Sequence, residues 1–213
     1  IGTQALVGNT TGARNNAIGS GALDEADTEN DNLAIGYYAL GGAIAGGEKN
    51  VAIGYNALSA EDGNGHNVAI GHSALKTLNA GADAYNVAIG YIAGELMSTG
   101  VQNTIIGGHA GDALTTAGGN VAIGYSAKAA TNNLNNTVVI GHAASATASN
   151  SFVLGNANHV VDIPSGNLTI AGSSGSSGYV LCTDGANGVG WTSVAGATGG
   201  VTCTATGNTN VGA

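Results

Sequence analysis

Tyrosine and histidine side chains recur at regular intervals between residues 37 and 142, and their rings are the best candidates for binding chemistry in this chain. They are Tyr37, Tyr55, His72, Tyr91, Tyr125 and His142. A row of exposed rings is suited to binding a sugar or a cell-surface polymer. Rings at a fixed interval are also expected when flat side chains simply pack on one another and stabilise neighbouring repeats. Packing is the favoured interpretation, and the row is a candidate receptor-binding or stacking stripe.

Histidines and carboxylates could also hold a metal ion. His72, His109 and His142 stand two repeats apart, which corresponds to roughly 10 Å, too far for shared coordination. Acidic residues crowd together between positions 24 and 31, as they do in a calcium-binding loop. The turn glycine of such a loop is missing, however, and Tyr38 stands where the closing glutamate would be. We therefore expect a solvated loop, with loose calcium binding as the alternative, and we expect no metal site and no cofactor.

Motifs that would indicate an enzyme are missing from the sequence. It contains no phosphate loop ending in Gly-Lys-Ser/Thr, no His-Glu-x-x-His pair and no nucleophile elbow. The net charge of −9, from 13 acidic and 4 basic residues, argues against binding to nucleic acid or to an anionic membrane. No apolar run approaches the roughly 18 residues of a transmembrane helix. The expected protein is not an enzyme, does not bind nucleic acid and does not insert into a membrane.

A repeat of about 17 residues positions these side chains. Each repeat is marked by an Ile-Gly or Leu-Gly pair, and the markers are Ile1, Ile18, Ile35, Ile53, Ile70, Ile89, Ile106, Ile123, Ile140 and Leu154. A fixed short period is typical of solenoids, in which each repeat stacks on the next. We therefore expect an all-β fold, with a parallel β-solenoid of about ten 17-residue rungs over residues 1–157. Such a rod would be about 45 Å long.

A short strand with the pattern Asn-Val-Ala-Ile-Gly is expected in each repeat, and Gly-Tyr-x-Ala-Leu is expected to form a second one. Successive side chains of a strand point to opposite faces, so Val and Ile share one face and Ala lies on the other. Both faces are apolar, as in a strand that is buried on both sides. We therefore expect a second copy of the chain to cover the alanine face, with Ala52, Ala69, Ala88 and Ala122 as the residues that face it.

An asparagine precedes the strand in most repeats. The column predicted as a ladder consists of Asn50, Asn67, Asn86, Asn103 and Asn120. Stacked asparagines can bond to one another through their side-chain amides. This column is therefore expected to be a structural ladder along the axis.

The residues after position 157 depart from the repeat. Residues 158–171 and 179–195 are each expected to form a β-hairpin, because extended segments flank strong turn sequences. Residues 172–178 are a Gly/Ser linker, and residues 196–213 form a Gly/Thr-rich tail that is extended or disordered. Cys182 and Cys203 lie in this part, either paired or reduced. Because the chain opens in the middle of a repeat, we expect it to be a piece of a longer one.

The Asn-Val-Ala-Ile-Gly repeat resembles the head repeats of trimeric autotransporter adhesins, which are left-handed parallel β-rolls assembled as homotrimers. It also resembles the repeats of bacteriophage tail fibres. The segment Gly-Tyr-Val-Leu-Cys-Thr-Asp-Gly, followed by Trp191, is similar to the one that follows the repeats in such fibres. The repeat here is longer than that of the adhesin family.

The resemblance implies a structural and adhesive segment of a homotrimeric tail fibre, located in the virion and used for host attachment. The implied partners are other fibre or baseplate proteins and a glycan or protein of the host cell surface. The head of a bacterial trimeric adhesin at the cell surface is the alternative. A repeat protein that binds ice or a crystalline polymer is a hypothesis from a different class.

Overall fold

The computed structural model of the chain describes residues 1–25, 28–42, 47–60, 63 and 65–159, and the backbone of two further strands. Its contacts divide the chain into two units, Ile1–Val161 and Asp162–Ala213. The regular elements of the described residues are all β-strands. In chain order they are β1 (Asn16–Ile18), β2 (Leu33–Ile35), β3 (Val51–Ile53), β4 (Val68–Ile70), β5 (Val87–Ile89), β6 (Thr104–Ile106), β7 (Val121–Ile123), β8 (Lys128–Ala129), β9 (Val138–Ile140), β10 (Ser145–Ala146), β11 (Phe152–Leu154), β12 (Tyr179–Thr183) and β13 (Val189–Ser193).

Nine of these strands form one parallel sheet in the order β1-β2-β3-β4-β5-β6-β7-β9-β11. The register aligns equivalent positions of successive repeats; Ala52 pairs with Ala69, and Ile53 pairs with Ile70. One strand of this sheet is therefore added with each turn of the coil, and the turns follow the 17-residue period. The predicted all-β parallel solenoid is confirmed.

The second half of each turn differs from the strand that the sequence predicts. Tyr38 and Leu40 have φ angles of 52° and 51°, and Ser73 and Leu75 have 55° and 49°. Left-handed residues at every second position curl the backbone, which a strand does not allow. The N–H groups still bond to the next turn: Leu40 donates to the carbonyl of residue 57 at 2.9 Å. Short strands form in this half only at β8 and β10, which pair with each other.

The strand alanines face the interior of the coil. Within a single chain, Ala52, Ala69 and Ala88 are 0% exposed and Ala122 is 2% exposed. The first three belong to one core with the leucines of the second half-turn, such as Leu75. The prediction that these alanines face a trimer partner is therefore wrong. In the turns of Ala52 and Ala69, the buried leucines Leu58 and Leu75 belong to the same core and leave room only for a small strand residue.

Ile105 shows how tightly that space is used. It replaces the alanine of β6 and is fully buried. Its own turn and the preceding one carry Gly111 and Gly94 where earlier turns carry leucine. A Cβ atom at Gly111 would lie 2.8 Å from Ile105 Cδ1, and one at Gly94 would lie 3.0 Å from it. Isoleucine thus fills the space that the missing leucines leave.

A residue larger than alanine should not fit at the interior strand position of a turn whose second half carries a leucine. We expect Ala69→Ile to lower the free energy of unfolding by about 1–3 kcal/mol, because Leu75 occupies the space that the new side chain needs. The same substitution at the exposed Ala130 should change it by less than about 0.5 kcal/mol. Urea unfolding of the two variants measures the difference. Equal stability of the two would mean that the interior has room to spare.

The second unit contributes one pair of described strands. β12 pairs antiparallel with β13, with Tyr179 opposite Ser193. The connection between them, almost all of the predicted hairpin at 158–171, the linker at 172–178 and the tail at 196–213 lie outside the described residues. Cys203 and the side chain of Cys182 lie outside them too. Among the described residues, no helix is long and apolar enough to cross a membrane.

Candidate functional site

The asparagine ladder lies inside the solenoid at the start of the strands. Its five predicted members, Asn50, Asn67, Asn86, Asn103 and Asn120, are at most 1% exposed. Each Oδ1 atom from Asn50 to Asn103 accepts the backbone N–H of the next asparagine at 2.9–3.0 Å. The ladder therefore has the predicted residues and joins side chain to backbone at each of these steps. The predicted amide-to-amide bond also forms at one step, where Asn103 Nδ2 donates to Asn86 Oδ1 at 3.2 Å.

The side-chain nitrogens of at least three ladder asparagines donate to backbone carbonyl groups. Asn86 Nδ2 donates to the carbonyl of Gly100 at 2.8 Å, and Asn103 Nδ2 donates to that of Ala117 at 3.0 Å. In the next turn Thr137 replaces the asparagine, and its hydroxyl donates to Asn120 Oδ1 at 2.8 Å. These groups satisfy backbone atoms that water cannot reach. The ladder is a structural element and offers a poor surface to a ligand.

The aromatic stripe is on the outside and has seven rings. It consists of Tyr37, Tyr55, His72, Tyr91, His109, Tyr125 and His142, and neighbouring ring centroids lie 4.8–5.7 Å apart. Some pairs are nearly parallel, with 16° between the planes of Tyr55 and His72. His109 is tilted by 57° against Tyr91 and by 59° against Tyr125. The rings therefore pack on one another along the rod, and the packing predicted from the sequence is present.

His109 is the member of the stripe that sequence analysis missed. The other stripe residues stand two positions after the marker isoleucine of their repeat. In this repeat Gly108 takes that position, and His109 follows it. A φ of 56° turns it into the gap. Its ring centroid lies 5.5 Å from those of both Tyr91 and Tyr125. The sequence feature that could have indicated it is a histidine directly after Gly108, the only glycine at the stripe position of the repeats.

The outer edges of the stripe are open to solvent. Tyr37, Tyr91 and Tyr125 are each 55% exposed and Tyr55 is 47% exposed. Within the described part of the chain, none of these four hydroxyl groups has a hydrogen-bond partner. The stripe thus presents aromatic edges and hydroxyl groups to solvent.

The valines and isoleucines of the nine-stranded sheet face outward beside the stripe. Ile89 and Ile106 are each 36% exposed and Ile18 is 46% exposed. We name these side chains the outer apolar columns. They contain Val51, Val68, Val87, Val121 and Val138 in one column and Ile18, Ile35, Ile53, Ile70, Ile89, Ile106, Ile123, Ile140 and Leu154 in the other.

The predicted metal candidates do not come together. In the stripe, a tyrosine ring separates His72 from His109 and another separates His109 from His142. Among the described residues, no group of three or more His, Cys, Asp or Glu side chains could hold a metal ion. The stripe can therefore act through hydrogen bonds and aromatic contacts.

The acidic stretch is tied to neighbouring residues in the part that is described. Arg14 Nη2 donates to Asp31 Oδ2 at 2.8 Å, and this pairing holds the pKa of Asp31 below its usual value. Glu29, predicted to be solvated, is only 4% exposed, and its Oε2 atom accepts the backbone N–H of Thr28 at 2.9 Å. Burial raises the pKa of Asp24 above its usual value. The stretch therefore serves to join turns of the coil.

No protein-family model, curated protein or solved structure matches this chain. The function is therefore inferred from the repeat, its resemblance and the two outer surfaces, namely the aromatic stripe and the outer apolar columns.

Proposed function

We propose that this chain is a structural and adhesive segment of a homotrimeric bacteriophage tail fibre, which attaches the virion to the surface of its host. The observation that carries the proposal is the outward row of aliphatic side chains along all nine strands of the sheet. It supports a rod that associates with copies of itself. The attachment role and the number three come from the resemblance of the repeat and of the segment containing Trp191.

The outer apolar columns favour association between copies. Side chains at nine sheet positions, spaced about 4.8 Å apart, make an apolar strip of roughly 40 Å. Soluble monomers rarely expose continuous apolar patches larger than a few hundred Å². The isoleucine column contains no charged residue from Ile18 to Leu154. Packing this face against the same face of other copies, around a common axis, would remove it from water.

Three parallel copies would also present three aromatic stripes. Weak contacts that repeat along a rod, and again on each copy, combine into strong attachment without any single tight site. A repetitive, uncharged surface is suited to this task.

The assembly can be measured in solution. The chain has a mass of 20.4 kDa, so light scattering should give a species of about 61 kDa, three times that value. We expect Ile89→Lys to give the single chain with an unchanged circular-dichroism spectrum, because this side chain is already 36% exposed in one copy. Thr116→Lys, at another exposed site, should leave the larger species intact. A stable wild-type monomer would contradict the trimer.

Attachment needs a separate test. An antibody against residues 1–157 should label the tail fibre of the virus that encodes the chain in electron micrographs. Incubating the host bacteria with the purified protein should reduce adsorption of that virus. Label elsewhere in the virion, or undiminished adsorption, would contradict the proposed role.

A further inference from the structure

We infer that the aromatic stripe is a docking track for one chain of an uncharged β-1,4-linked polysaccharide, with successive sugars on successive turns. The inference rests on the proposed adhesive function and adds the chemical class of the ligand.

The ring type in the stripe alternates along the rod. From Tyr55 to His142 the order is Tyr55, His72, Tyr91, His109, Tyr125, His142. The stripe therefore repeats every two turns, although the fold repeats every turn. The alternation persists even where the ring comes from a shifted position, since His109 fills the gap at Gly108.

Packing alone does not explain the alternation. Tyr37 and Tyr55 stack on each other with centroids 5.3 Å apart and 13° between their planes, so two tyrosines pack as well as a tyrosine and a histidine. A two-turn period points to a ligand whose own repeat spans two turns.

An extended β-1,4-linked polysaccharide has this repeat. Each sugar is flipped relative to the one before it, so every second sugar presents the same edge, and the advance per sugar is close to the rise of about 4.8 Å per turn of the coil. An extended peptide repeats its side-chain direction every two residues, about 6.6 Å, and would lose register within a few turns. Nucleic acid is disfavoured because its phosphates would be repelled by a chain of net charge −9.

The exposed groups suit sugar hydroxyls. Ring-to-ring packing takes up part of each ring surface, and the exposed edges of the tyrosines carry their hydroxyl groups. A phenol hydroxyl both donates and accepts a hydrogen bond, and a neutral imidazole offers one donor and one acceptor. The hydroxyls of Tyr55, Tyr91 and Tyr125 are free to bind in the described part of the chain. The stripe carries no carboxylate, lysine or arginine, which matches an uncharged polymer.

Binding to insoluble polymers tests the inference. The full chain should be depleted from solution by cellulose or chitin and should stay in solution with starch, whose α-linked chain coils. The triple variant His72→Tyr, His109→Tyr, His142→Tyr keeps a ring at every turn but removes the alternation. We expect it to bind at least about tenfold more weakly, because at three turns the phenol hydroxyl lies farther out than the imidazole nitrogens and cannot make their hydrogen bonds.

The chain offers a matched control. His66 stacks on Tyr85 at 4.8 Å but lies outside the stripe, so His66→Tyr should leave binding unchanged. Melting temperatures of both variants check that the coil is intact. Wild-type binding equal to that of the triple variant overturns the inference, and so does equal retention on starch or no retention on either β-linked polymer.

The inference and the proposed function can fail independently. If the wild-type protein blocks virus adsorption and the folded triple variant blocks it equally well, the polysaccharide track is wrong and the adhesive role stands. If the protein binds cellulose or chitin but neither labels the fibre nor blocks adsorption, the adhesive role is wrong.

Discussion

Replacing Gly90 by alanine is expected to lower the free energy of unfolding by more than about 4 kcal/mol. Gly90 follows the marker isoleucine of its turn and has a φ of 143°, which L side chains rarely adopt. An added Cβ atom would lie 2.5 Å from the carbonyl oxygen of Gly107 and 2.6 Å from its carbonyl carbon. Both atoms belong to the backbone of the next turn, so the clash cannot be relieved by a side-chain rotation.

Gly81→Ala is the matched control for this prediction. Gly81 also has a positive φ, 69°, but a Cβ atom there would meet nothing within 4 Å. The substitution should cost only about 1–2 kcal/mol, the strain of a left-handed alanine. Urea unfolding followed by circular dichroism measures both variants. If the two variants are equally stable, the close contact between Gly90 and the backbone of the next turn does not limit the residue at this position.

Asn86→Ala is expected to cost about 2–6 kcal/mol, because it leaves two buried backbone groups without partners at about 1–3 kcal/mol each. Asn86 Oδ1 accepts the N–H of Asn103 at 2.9 Å, and its Nδ2 atom donates to the carbonyl of Gly100 at 2.8 Å. Asn79→Ala, at an exposed position, should change stability by less than about 0.5 kcal/mol. Thermal unfolding of the two variants, under conditions that keep the assembly state the same, gives the comparison.

Asn86→Asp separates the two bonds of this side chain. The carboxylate keeps the acceptor for Asn103 but turns an oxygen toward the carbonyl of Gly100. Burial raises the pKa of such a carboxyl, and its protonated form can donate to that carbonyl. A group with a raised pKa stabilises the fold at low pH and loses that effect as the pH rises. The variant should therefore be closer to wild-type stability at about pH 4 than at pH 7, and a flat pH profile would argue against the bond to Gly100.

The solenoid could be predicted from the sequence because it is indicated by the regular spacing of the repeat markers. Markers such as Ile53 and Ile70 recur at an interval that does not depend on which face is inside, and the strands pair at those positions. The asparagine positions were predictable for the same reason. The bonds from these side chains to the backbone were not predictable, because sequence does not show whether an amide will bond to another amide or to a backbone N–H.

The direction of the strand faces could not be predicted from alternation, because both faces are apolar. Volume decides it: Ala69 is inside in a turn that carries the buried Leu75, and the larger Ile105 is inside where Gly94 and Gly111 replace leucine. The second half-turn was also missed. Leu58 and Leu75 adopt φ values of 53° and 49°, which leucine disfavours in isolation, and burial together with bonds to the next turn offsets that strain.

The bonds between turns have a mechanical consequence. They join successive strands, as in Gly90 N–H to the carbonyl of Ile70 at 2.8 Å, and so they run along the coil. Tension applied to the two ends of one chain would load them in series, and the weakest turn would peel away first. A tether made from such coils would resist a pull mainly through lateral packing between copies, which shares the load over many turns at once.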